Sequence, residues 1–112
     1  MAREEGGDMA AIRVAPVGDV PEGTGKTFDV AGHSIAVFHV GGRFYALDDT
    51  CSHDQASLGE GEVDTDELCV ACPRHGALFE LSSGRALTLP AHKPVSSYPI
   101  WVEDAYLVIE PT

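Results

Sequence analysis

Two short segments hold the residues best suited to chemistry. Cys51-Ser52-His53 forms the first, and Cys72-Pro73-Arg74-His75 follows after 18 intervening residues. Each half pairs one thiol with one imidazole, so two facing loops would present four soft-to-borderline donors. Thiolate and imidazole suit zinc or an iron–sulfur cluster and disfavour magnesium or calcium. Zinc fingers usually place two cysteines in one half and two histidines in the other, whereas here each half is mixed. A structural zinc site is nonetheless the plain alternative. The third cysteine creates Cys69-Val70-Ala71-Cys72, the spacing of a redox dithiol. A thioredoxin-like pair needs a helix N-terminus in a βαβ setting, and no such pattern is visible. Cys69 therefore reads as a buried strand residue.

The elements that must position these donors read as short strands. Residues 1–10 are polar and Gly-containing and read as a flexible tail; residues 11–112 read as one domain. Ile12 to Val17 predicts a first strand, ended by the turn Gly18-Asp19-Val20-Pro21-Glu22-Gly23. Lys26 to Val30 and Ser34 to Val40 predict strands around Ala31-Gly32-His33. Gly41-Gly42 is a two-residue hairpin signal, and Arg43 to Leu47 returns with Phe44 and Ala46 on one face, Tyr45 and Leu47 on the other. From Asp48 to Glu67 the alternation breaks down. Leu68 to Ala71 and Leu78 to Leu81 predict short strands either side of the second ligand loop. After a Pro-rich passage, Ser97 to Val102 and Tyr106 to Ile109 pair across Glu103-Asp104-Ala105. Trp101 and Tyr98 read as core residues. No window carries a helical period, so the expectation is all-β, in stacked antiparallel sheets, with a ligand-bearing insert at about 48–82.

Composition narrows the function. A net charge of −11 argues against nucleic acid or anionic lipid as partner. No basic start leads into an apolar run, and no stretch approaches the roughly 18–20 apolar residues of a membrane span. The chain reads as cytoplasmic, and three cysteines in a reducing compartment suggest ligation over a disulfide framework. Asp48, Asp49, Asp54, Glu60, Glu62, Asp64, Asp66 and Glu67 surround the first ligand segment with no Lys or Arg between His53 and Leu68. They read as a solvated face or as a surface steering a basic partner. Gly59-Glu60-Gly61-Glu62 lacks the spacing of a calcium loop. His33, His39 and His92 read as ordinary surface or half-buried histidines.

The pattern C-x-H … C-P-x-H-G resembles the signature of Rieske iron–sulfur proteins, and the resemblance runs from about Ile12 to Ile109. It implies one 2Fe–2S cluster, with Cys51 and Cys72 on the inner iron and His53 and His75 on the outer iron. An oxidised core carries about +2; two thiolates bring it to zero, whereas four bring it to −2. Fewer thiolates make an added electron less repelled, which raises the potential. The implied fold is a Rieske domain of stacked sheets with a small cluster-binding subdomain. The implied function is a soluble ferredoxin, an electron carrier and not itself an enzyme. It takes electrons from a flavin-dependent reductase and hands them singly to a terminal oxygenase that attacks an aromatic or related compound. A small subunit fixed in a reductase such as nitrite reductase is the second reading, and a zinc-stabilised interaction module the third.

Departures within the family sharpen this. High-potential members carry an extra cysteine in each ligand loop, joined as a disulfide; those positions here are Ala56 and Arg74. The same members place serine and tyrosine hydroxyls after the second histidine, where this chain has Ala77 and Phe79. Two hydrogen bonds that would favour the reduced cluster are thus expected to be missing, and the potential to be low. Gly76 and Pro73 fit a stiff loop whose backbone approaches the cluster closely. Pro90-Ala91 falls where the family has a third, covering loop, and His92 would lie near it.

Overall fold

A computed structural model describes residues 11–51, 56–74, 76–89, 91 and 93–111. The expected tail at 1–10 lies outside the described residues. Among the described residues there are ten strands: β1 (Ile12–Pro16), β2 (Thr24–Val30), β3 (His33–Val40), β4 (Arg43–Asp48), β5 (Glu62–Asp64), β6 (Cys69–Ala71), β7 (Leu78–Glu80), β8 (Ser97–Tyr98), β9 (Ile100–Glu103) and β10 (Tyr106–Ile109). Single 3-10 turns follow β1 at Val17–Asp19 and precede β5 at Leu58–Glu60. The described residues contain no α-helix, so the all-β expectation holds.

The strands form three antiparallel sheets, in the orders β1-β10-β9, β2-β3-β4-β8 and β5-β6-β7. The four-stranded sheet is the common wall. Its β3 segment Ile35–Phe38 is buried throughout, as expected of a strand covered on both faces. Ile35 and Val37 face one core together with Phe44, Ala46, Leu107 and Ile109. Ala36, Phe38 and Val40 face the other, with Tyr45, Leu47, Val70 and Phe79. The alternation read in Arg43 to Leu47 is therefore the actual division of β4 between two cores.

Hairpin chemistry explains the tight turns. Ala31-Gly32, Gly41-Gly42 and Asp104-Ala105 each hold two consecutive residues at positive φ, between 52° and 86°. Two positive φ values mark the type I′ turn, whose twist matches that of the flanking strands. His33 already belongs to β3, pairing with Val30, so that turn is shorter than expected.

Several expectations need correction. Ser97 to Val102 is not one strand: Pro99 interrupts it, and the two parts belong to different sheets. Proline has no amide hydrogen for a ladder, so the chain changes sheets there. The Asp48–Glu67 stretch is not all loop, since β5 forms at Glu62–Asp64 against β6. Leu68 is not in a strand; it is exposed, with φ at 55° in the turn before β6. Trp101 is not core. It is half-buried on edge strand β9, where its Nε1 donates to Glu103 Oε2 at 2.8 Å. Tyr98, by contrast, packs against the core shared by β3 and β10.

Candidate metal centre

The two predicted ligand segments share one construction. In the first, Thr50 bridges Ser57, and the Cys51 amide donates to the Ala56 carbonyl at 3.0 Å. In the second, Ala71 pairs with Leu78, and the Cys72 amide donates to the Ala77 carbonyl at 2.8 Å. In each, a cysteine amide is thus tied to the carbonyl of an alanine five positions later, Cys51 to Ala56 and Cys72 to Ala77. The His53 and His75 assignments lie outside the described residues.

Both sulfurs sit in the same apolar environment. Cys51 is 3% exposed and Cys72 is 1% exposed, and both belong to the core built from Ala56, Leu58, Val70, Ala77, Phe79 and Leu81. No disulfide joins any of the three cysteines. Ala56 is buried where a second loop cysteine would sit in the high-potential pattern. Charge on a sulfur in such a setting is costly unless a cation compensates it. Two buried thiols in one apolar core, each tied back to a buried alanine, suit a soft metal group by their chemistry.

The loop residues have identifiable local causes. Gly76 takes φ of 74° and donates to the Cys72 carbonyl at 2.9 Å. A Cβ there would meet nothing within 4 Å, so the left-handed backbone itself calls for glycine, not crowding by protein atoms. Leu87 donates its amide to the Leu78 carbonyl at 2.7 Å, and the Leu78 amide donates to Thr88 Oγ1 at 2.9 Å. These bonds hold the segment before position 90 along β7. Ala91 and Val95 then bury themselves in the core that contains Cys51 and Cys72. Pro90 and His92, read as part of a third loop, lie outside the described residues.

Cys69 stands apart from this centre. It is buried in β6, whereas its neighbour Val70 faces the core that holds Cys72. Burial pushes its thiol pKa up, and the charges of Asp64 and Glu67 push it further. A thiol held protonated in this way is a poor ligand and a poor nucleophile.

The acidic run is distributed differently from the expectation of eight carboxylates around one tip. Asp49 is buried, and its Oδ1 accepts from Thr27 Oγ1, Ser57 Oγ and the Gly59 amide, each at 2.9 Å. Asp64 Oδ1 accepts from the amides of Asp66 and Glu67, both at 3.0 Å. That turn lies where β6 begins, while Cys72 lies just past its end, so a strand length of about 10 Å separates them. Glu62 pairs with Ala71 and remains on the Cys72 side. Asp54 is outside the described residues.

Sequence reasoning missed a second polar cluster, far along the chain from the cysteines. Glu22 accepts from the amides of Gly41 and Gly42, which hold its carboxyl pKa below the ordinary value. His39 lies against it, with Nε2 at 3.3 Å from Glu22 Oε1, Nδ1 at 2.8 Å from the Val20 carbonyl, and its ring stacked on Phe44. These contacts brace the β3–β4 turn. Nothing in the spacing of Glu22 and His39 signalled their meeting.

A model of the Rieske [2Fe-2S] domain matches residues 10–99. The 3-phenylpropionate/cinnamic acid dioxygenase ferredoxin subunit of Shigella flexneri serotype 5b (strain 8401) is 47% identical over 102 residues, covering 91% of this chain and 94% of that protein. Among solved structures, the ferredoxin of carbazole 1,9a-dioxygenase from Nocardioides aromaticivorans IC177 is similar with a TM-score of 0.88 and 30% identity, over 91% of this chain and 98% of that one. A chain in the complex of reduced oxygenase and oxidized ferredoxin in carbazole 1,9a-dioxygenase is similar with a TM-score of 0.82 and 31% identity, over 91% and 94%.

Proposed function

The chain belongs to the Rieske [2Fe-2S] domain family, and on that premise we propose that Cys51, His53, Cys72 and His75 hold its cluster, with residues 48–82 as the cluster-binding subdomain. It carries one Rieske-type 2Fe–2S cluster, which sets the zinc module aside. It is a ferredoxin of a dioxygenase system: an electron carrier to a terminal oxygenase and not the catalyst. The bound cluster supplies one-electron transfer.

What carries the residue assignment is the twinned hairpin, with one buried cysteine at the same position in each. The chain's own residues then have defined tasks. The two cysteines would anchor the group, from within the core of Phe79, Leu58 and Leu81 that keeps water away. Ala56 and Ala77 close the two loops. His53 and His75 would supply neutral donors, which would keep the net charge of the site low. A flavin-dependent ferredoxin reductase is the electron source in this reading, and the final substrate is an aromatic compound. The setting is cytoplasmic, without nucleic acid or membrane as partner. Among the described residues no helix is long and apolar enough to cross a membrane.

Anaerobic reconstitution with iron and sulfide tests the assignment. The wild-type protein should be red-brown, contain acid-labile sulfide, bleach with dithionite and show a mixed-valence EPR signal. Cys51→Ser and Cys72→Ser should each lose or strongly alter that signal. His53→Cys adds a negative ligand, so any cluster it retains should have a lower potential. Full iron and an unchanged EPR spectrum in Cys51→Ser would refute the ligand set.

A further inference from the structure

We propose that Asp49 is a positioning residue that sets the geometry of the first ligand hairpin; this rests on the reading of Cys51 and His53 as ligands. Asp49 is 7% exposed, the one buried charged side chain among the described residues. Its single oxygen Oδ1 gathers three donors at 2.9 Å: Thr27 Oγ1 from β2, and Ser57 Oγ and the Gly59 amide from the returning leg of the hairpin. Its backbone adds two more bonds. The Asp49 amide donates to the Ser34 carbonyl of β3 at 2.9 Å, and its carbonyl accepts from the Leu58 amide at 2.7 Å. One residue thus fastens both legs of the loop to two strands of the four-stranded sheet, and Cys51 follows after only Thr50.

The two hairpins differ in their need for such a tether. The second is the continuation of β6 and β7, so a paired ladder delivers Cys72 to its place. The first lies outside the three sheets: among the described residues, the Thr50–Ser57 bridge, the Cys51 amide bond to Ala56 and the Leu58 amide bond to Asp49 join its two legs. A short isolated hairpin is marginal in water. The carboxylate supplies what the missing ladder would have supplied. The fit around it has no slack, because a Cβ at Gly59 would run into Thr27 Oγ1.

The test uses reconstituted holoprotein and three variants. Asp49→Ala removes the tether; Asp49→Asn keeps an acceptor oxygen without the charge; Thr27→Val with Ser57→Ala removes two donors and keeps the carboxylate. Iron release to a chelator and the EPR g-values are read, with far-UV circular dichroism as the check on folding. Asp49→Ala should release iron at least about tenfold faster, with shifted or broadened g-values, because each lost bond to a charged group is substantial. Asp49→Asn should restore the wild-type g-values and most of the wild-type release rate. The double variant should fall between them, and it carries the test alone if Asp49→Ala does not fold. Wild-type release and g-values in Asp49→Ala, or in the double variant, would overturn the proposal. So would an Asp49→Asn spectrum matching that of Asp49→Ala, which would indicate a charge effect in place of positioning. Failure of the ligand reading shows separately, as an unchanged cluster in Cys51→Ser.

Discussion

Cys69 and Cys72 are three residues apart and both buried, yet they are placed differently. Cys72 lies just past the end of β6, where the proposed ligand loop begins, while Cys69 stays inside the strand, with its pKa raised by burial and by two carboxylates. Cys69→Ala should therefore keep the full cluster and the wild-type EPR spectrum, and cost about 1 kcal/mol of stability through lost packing. Urea denaturation with parallel iron analysis checks both. Glu22 offers a pH-dependent counterpart. Its carboxyl is held below the ordinary range by the Gly41 and Gly42 amides, with the His39 charge adding a little. The folded state thus prefers the ionised form; its contribution is present above the ordinary carboxylate pKa, about 4.3, and is lost as pH falls through the lowered value. Comparing urea midpoints from pH 3 to 6, the wild type should lose more of its advantage on acidification than Glu22→Gln does.

At the scale of elements, the type I′ turns differ in how well their residues suit them. Gly41-Gly42 adopts its positive φ values freely, whereas Asp104 and Ala105 sit at 52° and 66°. An L-residue in the left-handed region costs roughly 1–2 kcal/mol, partly returned by the lower entropy of its unfolded chain. Ala105→Gly should thus stabilise the protein by about 0.5–1 kcal/mol, measured as a raised denaturation midpoint with an unchanged slope. The same contrast explains what was legible beforehand. Gly41-Gly42 announces a hairpin, and the apolar alternation of Arg43 to Leu47 announces a strand with two dissimilar faces. The types and spacing of Cys51, His53, Cys72 and His75 point in the sequence to the metal centre proposed above. The break at Pro99 was not read, because Ser97 to Val102 is apolar enough to pass for one strand. β5 was hidden among acids whose side chains point to solvent or into turns. Asp49 was counted as one charge among eight, since nothing local reveals that Thr27, some twenty residues earlier, would lie against it.

For the molecule as a whole, charge is unevenly spread. The chain carries −11, yet from Leu81 to Val102 there is no Asp or Glu, only Arg85 and Lys93. Leu89 lies in this segment at 78% exposure, between the Thr88 that is bonded to Leu78 and the Ala91 that packs in the cysteine core. An exposed leucine in an acid-free stretch joined to the cysteine core, on an otherwise acidic body, suits close contact with a partner steered in from a distance. Leu89→Asp should slow reduction of the terminal oxygenase by roughly tenfold without altering the midpoint potential, as an exposed apolar anchor at an interface is worth about 1–2 kcal/mol. Stopped-flow kinetics and a redox titration separate the two. That titration should itself fall toward the low end of the Rieske range, near −150 mV, given Ala77 and Phe79 in place of hydroxyl-bearing residues. The shared wall has one more effect. Because β3 and β4 line both cores, and the chain at Pro99 stitches two sheets together, neither half has a boundary along which to melt alone. Heating should accordingly fade the brown colour and the β-sheet signal in a single step, so that the pigment doubles as a gauge of the entire fold.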